Sequence, residues 1–316
     1  MKISFWGTPY ISAALLKQLL SHSRFKVEYV VTQKDKPRSV RGREIQPSPV
    51  KKTALDSGIQ ILEPDSLKKQ KDEIFSYMNL HPVDCHVILA YGKIIPRELY
   101  ENANLGAVNF HASLLPDLRG ASPVESALIN GNSKTGWTLQ KINSDLDAGD
   151  ILKTVSLSIE YNDTKDLLYQ KMTELLLQFA ADALLDFERG LLQPEKQDHQ
   201  KANYCGKIHS ETGKLNFNEP AEKIRNLARA LHERPGVYTG WNGKKIKLFI
   251  DFSSDIIPDS HSKCGEIVKI DSLLWIKATG GLLPVSHLQL DGKKKTDILS
   301  FLNGNPLKIG QLFQSP

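Results

Sequence analysis

Apolar and polar positions follow two distinct periods along residues 1–190. Short apolar runs rich in β-branched residues, such as 27–32, predict strands, and apolar positions three or four apart, such as those in 11–20, predict helices. The predicted strands are 2–7, 27–32, 59–62, 83–91, 106–111 and 151–159. The predicted helices are 11–20, one opening at Pro47-Ser48-Pro49, 66–79 and 163–190. This alternation predicts an α/β domain whose parallel sheet carries helices on both faces, with a functional crevice beyond the carboxyl ends of the strands.

The last third of the chain shows a different pattern. A polar stretch without periodicity, 193–203, predicts a linker. After it we predict a short strand at 214–217, a helix at 221–231 and strands at 245–250, 264–270, 273–279 and 282–290. Short strands at this spacing favour a small β-barrel of the oligonucleotide-binding (OB) type. The predicted organisation is a Rossmann-like parallel-sheet domain over 1–192, the linker 193–203, and an OB-like domain over 204–316.

Composition places the chain among soluble proteins. Hydrophobic residues make up 40% and charged residues 24% of its 316 positions, and no apolar run approaches the ~20 residues that a membrane-spanning helix needs. The opening segment 1–7 is too short for a secretory signal. Three cysteines, Cys85, Cys205 and Cys264, have no metal-ligand spacing. We therefore expect a cytoplasmic protein with reduced thiols and no membrane partner.

Positive charge is concentrated in two regions. Residues 1–200 hold 24 Lys and Arg against 25 Asp and Glu, whereas 201–316 hold 17 against 11, so the C-terminal third carries the basic excess. Segment 34–44 holds five basic residues against two acidic ones, and Pro37 and Gly42 disfavour regular structure there. Two interpretations stay open for both regions: a solvated, lysine-rich surface, or contact with the phosphates of a polyanion.

Three polar residues near the predicted strand 106–111 carry the candidate chemistry. Side chains at i and i+2 of a strand share a face, so Asn109 and His111 project together. Asp147 lies in a later acidic turn, 145–150, from which a carboxylate could reach the imidazole. An amide donor for an oxyanion, a titratable ring, and a carboxylate that favours the charged ring suit the transfer of an acyl-type carbon.

The loop after this strand is unusually apolar. The run Ser113-Leu114-Leu115-Pro116 places apolar side chains where loops are usually polar, and exposed apolar groups there predict a flat ligand that bonds the loop backbone. For Ser122 and Pro123 a second interpretation stays open, in which they only cap a helix and begin its first turn. Gly7-Thr8-Pro9 lacks the Gly-x-Gly-x-x-Gly pattern of a dinucleotide site, which disfavours a nicotinamide enzyme.

Four passages occur together along the chain: Asn109-x-His111-x-Ser113-Leu114-Leu115-Pro116, Arg119-Gly120-Ala121, Thr135-Gly136 and Leu146-Asp147-x-Gly149. This combination resembles the 10-formyltetrahydrofolate-dependent formyltransferases. Within them the chain is most similar to the methionyl-tRNA formyltransferases, through Phe5-Trp6-Gly7-Thr8-Pro9, Arg41-Gly42, Pro47-Ser48-Pro49-Val50-Lys51 and Ala90-Tyr91-Gly92. It departs from that pattern at Trp6, Ala112, Ser122 and Glu233-Arg234-Pro235.

The resemblance implies transfer of the formyl group of 10-formyltetrahydrofolate to the α-amine of initiator methionyl-tRNA. We expect a monomer, since nothing in the sequence points to an obligate interface, and we expect no metal, since this chemistry does not need one. It implies catalytic roles for Asn109, His111 and Asp147. The folate would be bound by Ser113, Leu114, Leu115, Pro116, Tyr91 and Gly92. The tRNA would be bound by Lys36, Arg38, Arg41 and Arg43, together with the C-terminal domain.

Three alternatives remain open at the level of sequence. A sugar-nucleotide N-formyltransferase would use the same folate donor and catalytic residues but would leave the basic segment 34–44 unexplained. A hydrolase would release the formyl group to water as formate. A non-catalytic RNA-binding protein would keep the basic regions and leave Asn109, His111 and Asp147 without a role.

Overall fold

Strands and helices alternate through the first half of the structure, a computed structural model that describes residues 1–35 and 46–313. The strands of this half are β1 (Lys2–Gly7), β2 (Lys26–Val31), β3 (Gln60–Leu62), β4 (Cys85–Leu89), β5 (Ala107–His111), β6 (Arg119–Gly120), β7 (Lys134–Lys141) and β8 (Ile151–Ser158). Its helices are α1 (Tyr10–Ser21), α2 (Pro49–Asp56), α3 (Lys71–Leu80), α4 (Arg97–Tyr100), α5 (Pro123–Ile129) and α6 (Lys165–Glu188).

A seven-stranded sheet organises this half, in the order β3-β2-β1-β4-β5-β7-β8. The pairs from β3 to β5 are parallel, and β7 runs antiparallel to β5. Strands β1 and β4 are buried along nearly their whole length, because their side chains enter the interior on both faces of the sheet. The predicted α/β architecture is confirmed. The sheet was predicted to be parallel throughout, and this is wrong for β7, which runs antiparallel to β5.

Strand β7 was missing from the sequence prediction, although its pattern carried a strand signal. Trp137 and Leu139 alternate with Thr138 and Gln140. All four side chains are buried, since one face meets the helix side and the other faces the loop after β5. Helix α3 also begins at Lys71, five positions later than predicted, so the polar run before it stays irregular.

The chain divides into two units. Unit 1 contains Met1–Pro123, Thr135–Leu157 and Gln170–Cys205, and unit 2 contains Val124–Lys134, Ser158–Tyr169 and the C-terminal part from Gly206. The segment 193–203, predicted as a linker, packs within unit 1: Glu195 bridges to Ile151, and Gln197 is only 5% exposed.

The C-terminal part is an antiparallel β structure. After the short strand β9 (Tyr204–Cys205) of unit 1, its strands are β10 (Val237–Trp241), β11 (Lys244–Ile250), β12 (Ile257–Pro258), β13 (Ile267–Ile270), β14 (Leu274–Ala278), β15 (Gly281–Leu290) and β16 (Thr296–Asp297). Its helices are a 3-10 turn at Ser210–Gly213, α7 (Ala221–Ala230) and α8 (Ile298–Leu302). Five strands pair in the order β10-β11-β15-β14-β13, while β12 and β16 also pair with β15. The β9 strand pairs with β6 instead.

The core of unit 2 follows the two-residue period of these strands. Ile246 and Leu248 of β11 face inwards and belong to the same buried cluster as Ile276 of β14, while Lys245 and Lys247 face outwards. The predicted strand 214–217 does not form, since Lys214 makes only an isolated bridge to Tyr238. The predicted C-terminal β domain is confirmed, and its strands pair antiparallel.

Candidate active site

The candidate site lies at the carboxyl end of β5. Register pairing sets Ile88 of β4 beside Asn109, and Gln140 and Thr138 of β7 opposite Asn109 and His111. Residues directly opposite in an antiparallel pair share a face, so these four polar side chains of β5 and β7 project together. The alternate residues of β5 face the other way, as shown by Phe110, which packs edge-on against Phe179 of α6.

The imidazole of His111 is held between a carbonyl and a carboxylate. Its Nε2 lies 2.9 Å from the carbonyl oxygen of Leu118, which can only accept, so Nε2 carries a proton. Its Nδ1 lies 3.6 Å from Oδ1 of Asp147. A neutral ring would therefore turn the Nδ1 lone pair towards a carboxylate, whereas a protonated ring offers that carboxylate an N–H.

The carboxylate of Asp147 is fixed on both oxygens. The backbone N–H of Gly120 donates to Oδ2 at 2.9 Å, and Nε2 of Gln140 donates to Oδ1 at 3.1 Å. Asp147 adopts a left-handed backbone conformation with φ of 50°, which is uncommon for a residue other than glycine. Two glycines allow the backbone on either side of this carboxylate to pack closely. A Cβ at Gly120 would lie 2.3 Å from the carbonyl oxygen of Cys205, and one at Gly149 would lie 1.8 Å from the carbonyl oxygen of Lys141.

Asn109 contributes an amide that is half-buried. Among residues 1–35 and 46–313, no protein group hydrogen-bonds its side chain, in contrast to the fully engaged Gln140 opposite it. An amide donor that is held on a strand and left unsatisfied by the protein is suited to donate to a ligand. The structure thus brings Asn109, His111 and Asp147 together on one side of the sheet edge.

The predicted folate loop is anchored to β7. The hydroxyl of Thr138 donates to the carbonyl of Ser113 at 2.7 Å and accepts from the N–H of Leu115 at 3.1 Å. Leu115 is buried, and only Leu114 and Pro116 are partly exposed. Three apolar side chains of this loop were expected to be exposed, and only those of Leu114 and Pro116 are partly so.

Tyr91 and Gly92 follow β4, at the same sheet edge. The Tyr91 ring is buried against Trp6, with ring centroids 5.3 Å apart, and burial raises the pKa of its hydroxyl. Its carbonyl accepts from Nε2 of Gln33 at 2.5 Å. Gly92 is exposed, so of these two predicted folate residues only Gly92 presents itself at the surface.

The predicted tRNA-binding residues Lys36, Arg38, Arg41 and Arg43 lie outside the described residues. The described residues just before and just after this segment contact each other. The carboxylate of Asp35 accepts from the backbone N–H of Ser48 at 2.8 Å and pairs with Nζ of Lys51 at 2.7 Å.

Sequence reasoning missed a buried polar network behind Asp147. Nε2 of Gln197 donates to the carbonyl oxygens of Asp147 at 2.9 Å and Gly149 at 2.7 Å, and lies 3.2 Å from Oε1 of Gln140. Its Oε1 accepts from Nε of Arg119 at 3.1 Å and from Nη2 at 2.7 Å. Gln140 was detectable as a polar position in an alternating strand, but nothing local marks Gln197 within a polar stretch.

Comparisons with known proteins identify the family of the chain. The profile described as formyl transferase matches residues 1–184, and the profile described as formyl transferase, C-terminal domain, matches residues 207–306. The chain belongs to the formyl transferase family. Within this family it groups with the methionyl-tRNA formyltransferases, which confirms the resemblance found in the sequence.

Two of these relatives span the whole chain. The methionyl-tRNA formyltransferase of Leptospira interrogans serogroup Icterohaemorrhagiae serovar copenhageni is 36% identical over 315 residues, covering 99% of this chain and 100% of that protein. The methionyl-tRNA formyltransferase of Caldanaerobacter subterraneus subsp. tengcongensis is 35% identical over 315 residues, with the same coverage of 99% and 100%.

A solved formyl transferase shares the fold. The N-formyltransferase from Helicobacter canadensis, crystallised with folinic acid and dTDP-3-aminofucose, superposes with a TM-score of 0.64 at 18% identity, covering 94% of this chain and 100% of that chain. At 18% identity this similarity supports the fold alone.

Two further observations concern the described ranges 1–35 and 46–313. No set of three or more His, Cys, Asp and Glu side chains there is arranged to hold a metal ion. No helix there combines the length and apolar character needed to cross a membrane.

Proposed function

We propose that this formyl transferase moves the formyl group of 10-formyltetrahydrofolate onto the α-amine of initiator methionyl-tRNA. The observation that carries the chemistry is the approach of the Asp147 carboxylate to within 3.6 Å of the His111 ring, on the strand face that also carries the amide of Asn109. The full-length relatives named methionyl-tRNA formyltransferase support the choice of acceptor.

The reaction needs a neutral amine, which an esterified amino acid provides more readily than a free one because it has no nearby carboxylate. The amine nitrogen bonds to the formyl carbon, and the carbonyl oxygen takes up the displaced electron pair. Asn109 donates a hydrogen bond to this oxyanion, and the positive charge of the protonated His111 ring stabilises it. Asp147, directly or through a water, accepts the proton that the amine loses. The oxyanion then re-forms the carbonyl as the bond from carbon to N10 breaks, and N10 leaves as tetrahydrofolate with the proton that Asp147 had accepted.

The folate would lie along the loop 113–116. Leu114 and Pro116 offer apolar surface to a flat ring, and the backbone of this loop offers polar groups to its edge. Thr138 holds the loop from the sheet side, so the binding surface is preformed. Gly92 would border the same ligand, and the buried Tyr91 would position the backbone before it.

The tRNA would be bound through phosphates. Asp35 and Lys51 hold the two ends of the basic segment that contains Arg41, the residue we propose as its main contact. In unit 2, Lys245 and Lys247 project from the outer face of β11, with Nζ of Lys245 3.5 Å from the ring centroid of Tyr238 on β10. Lysines interleaved with an aromatic ring on a strand face suit a nucleic-acid backbone.

One assay separates the candidate reactions. Purified protein is given 10-formyltetrahydrofolate with methionyl-tRNA, with an amino-sugar nucleotide, or with water alone, and both tetrahydrofolate and the formylated product are measured. We expect product only with methionyl-tRNA. Turnover with the amino sugar in place of methionyl-tRNA, or formate release as the main reaction, would refute the proposed acceptor.

A further inference from the structure

We infer that Gln197 is a positioning residue for the transfer reaction, acting through Asp147, and that the segment predicted as a linker is therefore part of the active site. This inference rests on the proposed function. It starts from the position of Gln197, which is 5% exposed within a segment whose flanking residues, from 193 to 200, are largely exposed. A buried side-chain amide requires partners, and this one has them on every side.

The donor side of Gln197 holds the acidic turn. Its Nε2 carries two hydrogens, and the two shortest contacts run to the carbonyl oxygens of Asp147 at 2.9 Å and Gly149 at 2.7 Å. These bonds clamp the backbone immediately before and after Ala148, where Asp147 adopts its left-handed conformation with φ of 50°. Gln197 thus stabilises the backbone conformation that directs the carboxylate at His111.

A second path runs through Gln140. Its Oε1 lies 3.2 Å from Nε2 of Gln197, so one of the two N–H groups of Gln197 is shared between two acceptors. This contact directs Nε2 of Gln140 towards Oδ1 of Asp147, at 3.1 Å. That oxygen is the one facing the ring of His111. The orientation of the Gln140 amide, and with it the hydrogen bond to the reactive side of the carboxylate, therefore depends on Gln197.

The acceptor side of Gln197 is set by Arg119. This guanidinium is 1% exposed, and its Nε and Nη2 both donate to Oε1 of Gln197, at 3.1 and 2.7 Å. Its Nη1 also lies 3.2 Å from the hydroxyl of Tyr204. Because a guanidinium can only donate, the oxygen of Gln197 must face it and the nitrogen must face the acidic turn. This pair fixes the amide in one orientation.

The chain offers a discriminating pair of substitutions. Gln197→Glu keeps the size of the side chain and both bonds from Arg119, but it removes the donor and turns a carboxylate oxygen towards two carbonyls. Gln197→Met keeps the size and removes both functions. Gln200→Glu is the matched control, since Gln200 is exposed three positions away in the same segment and the change adds the same charge.

The test is a double-mutant cycle with Asp147→Ala, read out as kcat and KM for formation of tetrahydrofolate. We expect Gln197→Glu and Gln197→Met to lower kcat at least tenfold, with KM values for both substrates within about twofold and Gln200→Glu unchanged. In the Asp147→Ala background, the same Gln197 substitutions should lower kcat by less than twofold, because residues that act as one unit are non-additive.

Equal losses in both backgrounds would show that Gln197 supports only the fold, and full activity of Gln197→Glu would show that its donor is not needed. Either result overturns the inference. A parent protein that is inactive with methionyl-tRNA but active with another formyl acceptor would refute only the proposed acceptor, and the cycle would then be measured with that acceptor. A parent that consumes no 10-formyltetrahydrofolate with any acceptor would overturn both proposals.

Discussion

Replacing Asp147 with asparagine isolates the charge of the candidate site from its shape. The asparagine side chain has the same size and keeps an oxygen for the backbone N–H of Gly120, which donates at 2.9 Å in the native protein. What disappears is the negative charge 3.6 Å from Nδ1 of His111, together with the oxygen that accepts from Nε2 of Gln140. We expect the loss to fall on the chemical step, because the charge acts when the ring stabilises the oxyanion.

The size of the effect follows from the geometry. Two unit charges at the separation of 3.6 Å attract each other by about 1 kcal/mol in water and by about 4–5 kcal/mol at an effective dielectric constant near 20. The side chains of His111 and Asp147 are only 6% and 13% exposed, so the higher figure is the closer guide. A 10²- to 10³-fold loss of kcat corresponds to about 3–4 kcal/mol, which lies within this interval.

The assay is initial-rate formylation of methionyl-tRNA at saturating folate, with the melting temperature measured for every variant. Asp145→Asn is the matched control, because Asp145 is an exposed acid in the same turn. We expect Asp147→Asn to lose at least a hundredfold in kcat with little change in KM or melting temperature, and Asp145→Asn to stay near the parent. Comparable turnover of the two variants would refute the role assigned to Asp147.

Four further outcomes test other parts of the molecule. Asn109→Ala should lower kcat about a hundredfold or more without lowering the melting temperature, since its amide bonds no described protein group; loss of stability instead of turnover would contradict this. Burial lowers the pKa of His86 from 6.5 to about 4. The contribution of the neutral ring to the free energy of unfolding is therefore fully present above pH ~6.5 and is lost as the pH falls towards 4, with a loss of roughly 2 kcal/mol between pH 7.5 and 5. Urea unfolding of the parent and His86→Gln at both pH values measures this, and identical pH dependence would disprove it. Gly149→Ala should destabilise by roughly 1–3 kcal/mol, because its Cβ would lie 1.8 Å from a carbonyl oxygen; an unchanged melting temperature would show that the turn can shift freely. Arg41→Ala should raise the KM for tRNA, leave that for folate unchanged and reduce the salt dependence of tRNA binding by about one in log–log slope, whereas unaltered salt dependence would remove Arg41 from the interface.

Local signals were sufficient where neighbours along the chain carry the information. The two-residue period of 107–111 predicted both the strand β5 and the shared face of Asn109 and His111, because successive strand side chains alternate by geometry. The change from alternating strands and helices to short strands predicted a second, β-rich domain, whose strands pair antiparallel in the structure.

Other features depend on partners far away in sequence. The direction of β7 is decided by its pairing with β5, and its buried Gln140 is satisfied by Gln197, which is 57 positions away. The polarity of 193–203 looked like that of an exposed connection because a buried, fully bonded glutamine and a solvated one have the same local pattern.

The sequence by itself therefore determined the class of fold and the family, and it predicted the residues that carry the chemistry, since these depend on side-chain types and short-range periodicity. Only the tertiary structure decided which oxygen of Asp147 faces His111, which leucine of the loop is exposed, and which residues hold the acidic turn. These are distances of about 3 Å between segments dozens of residues apart. They result from the packing and hydrogen bonding of the whole unit, which no local pattern encodes.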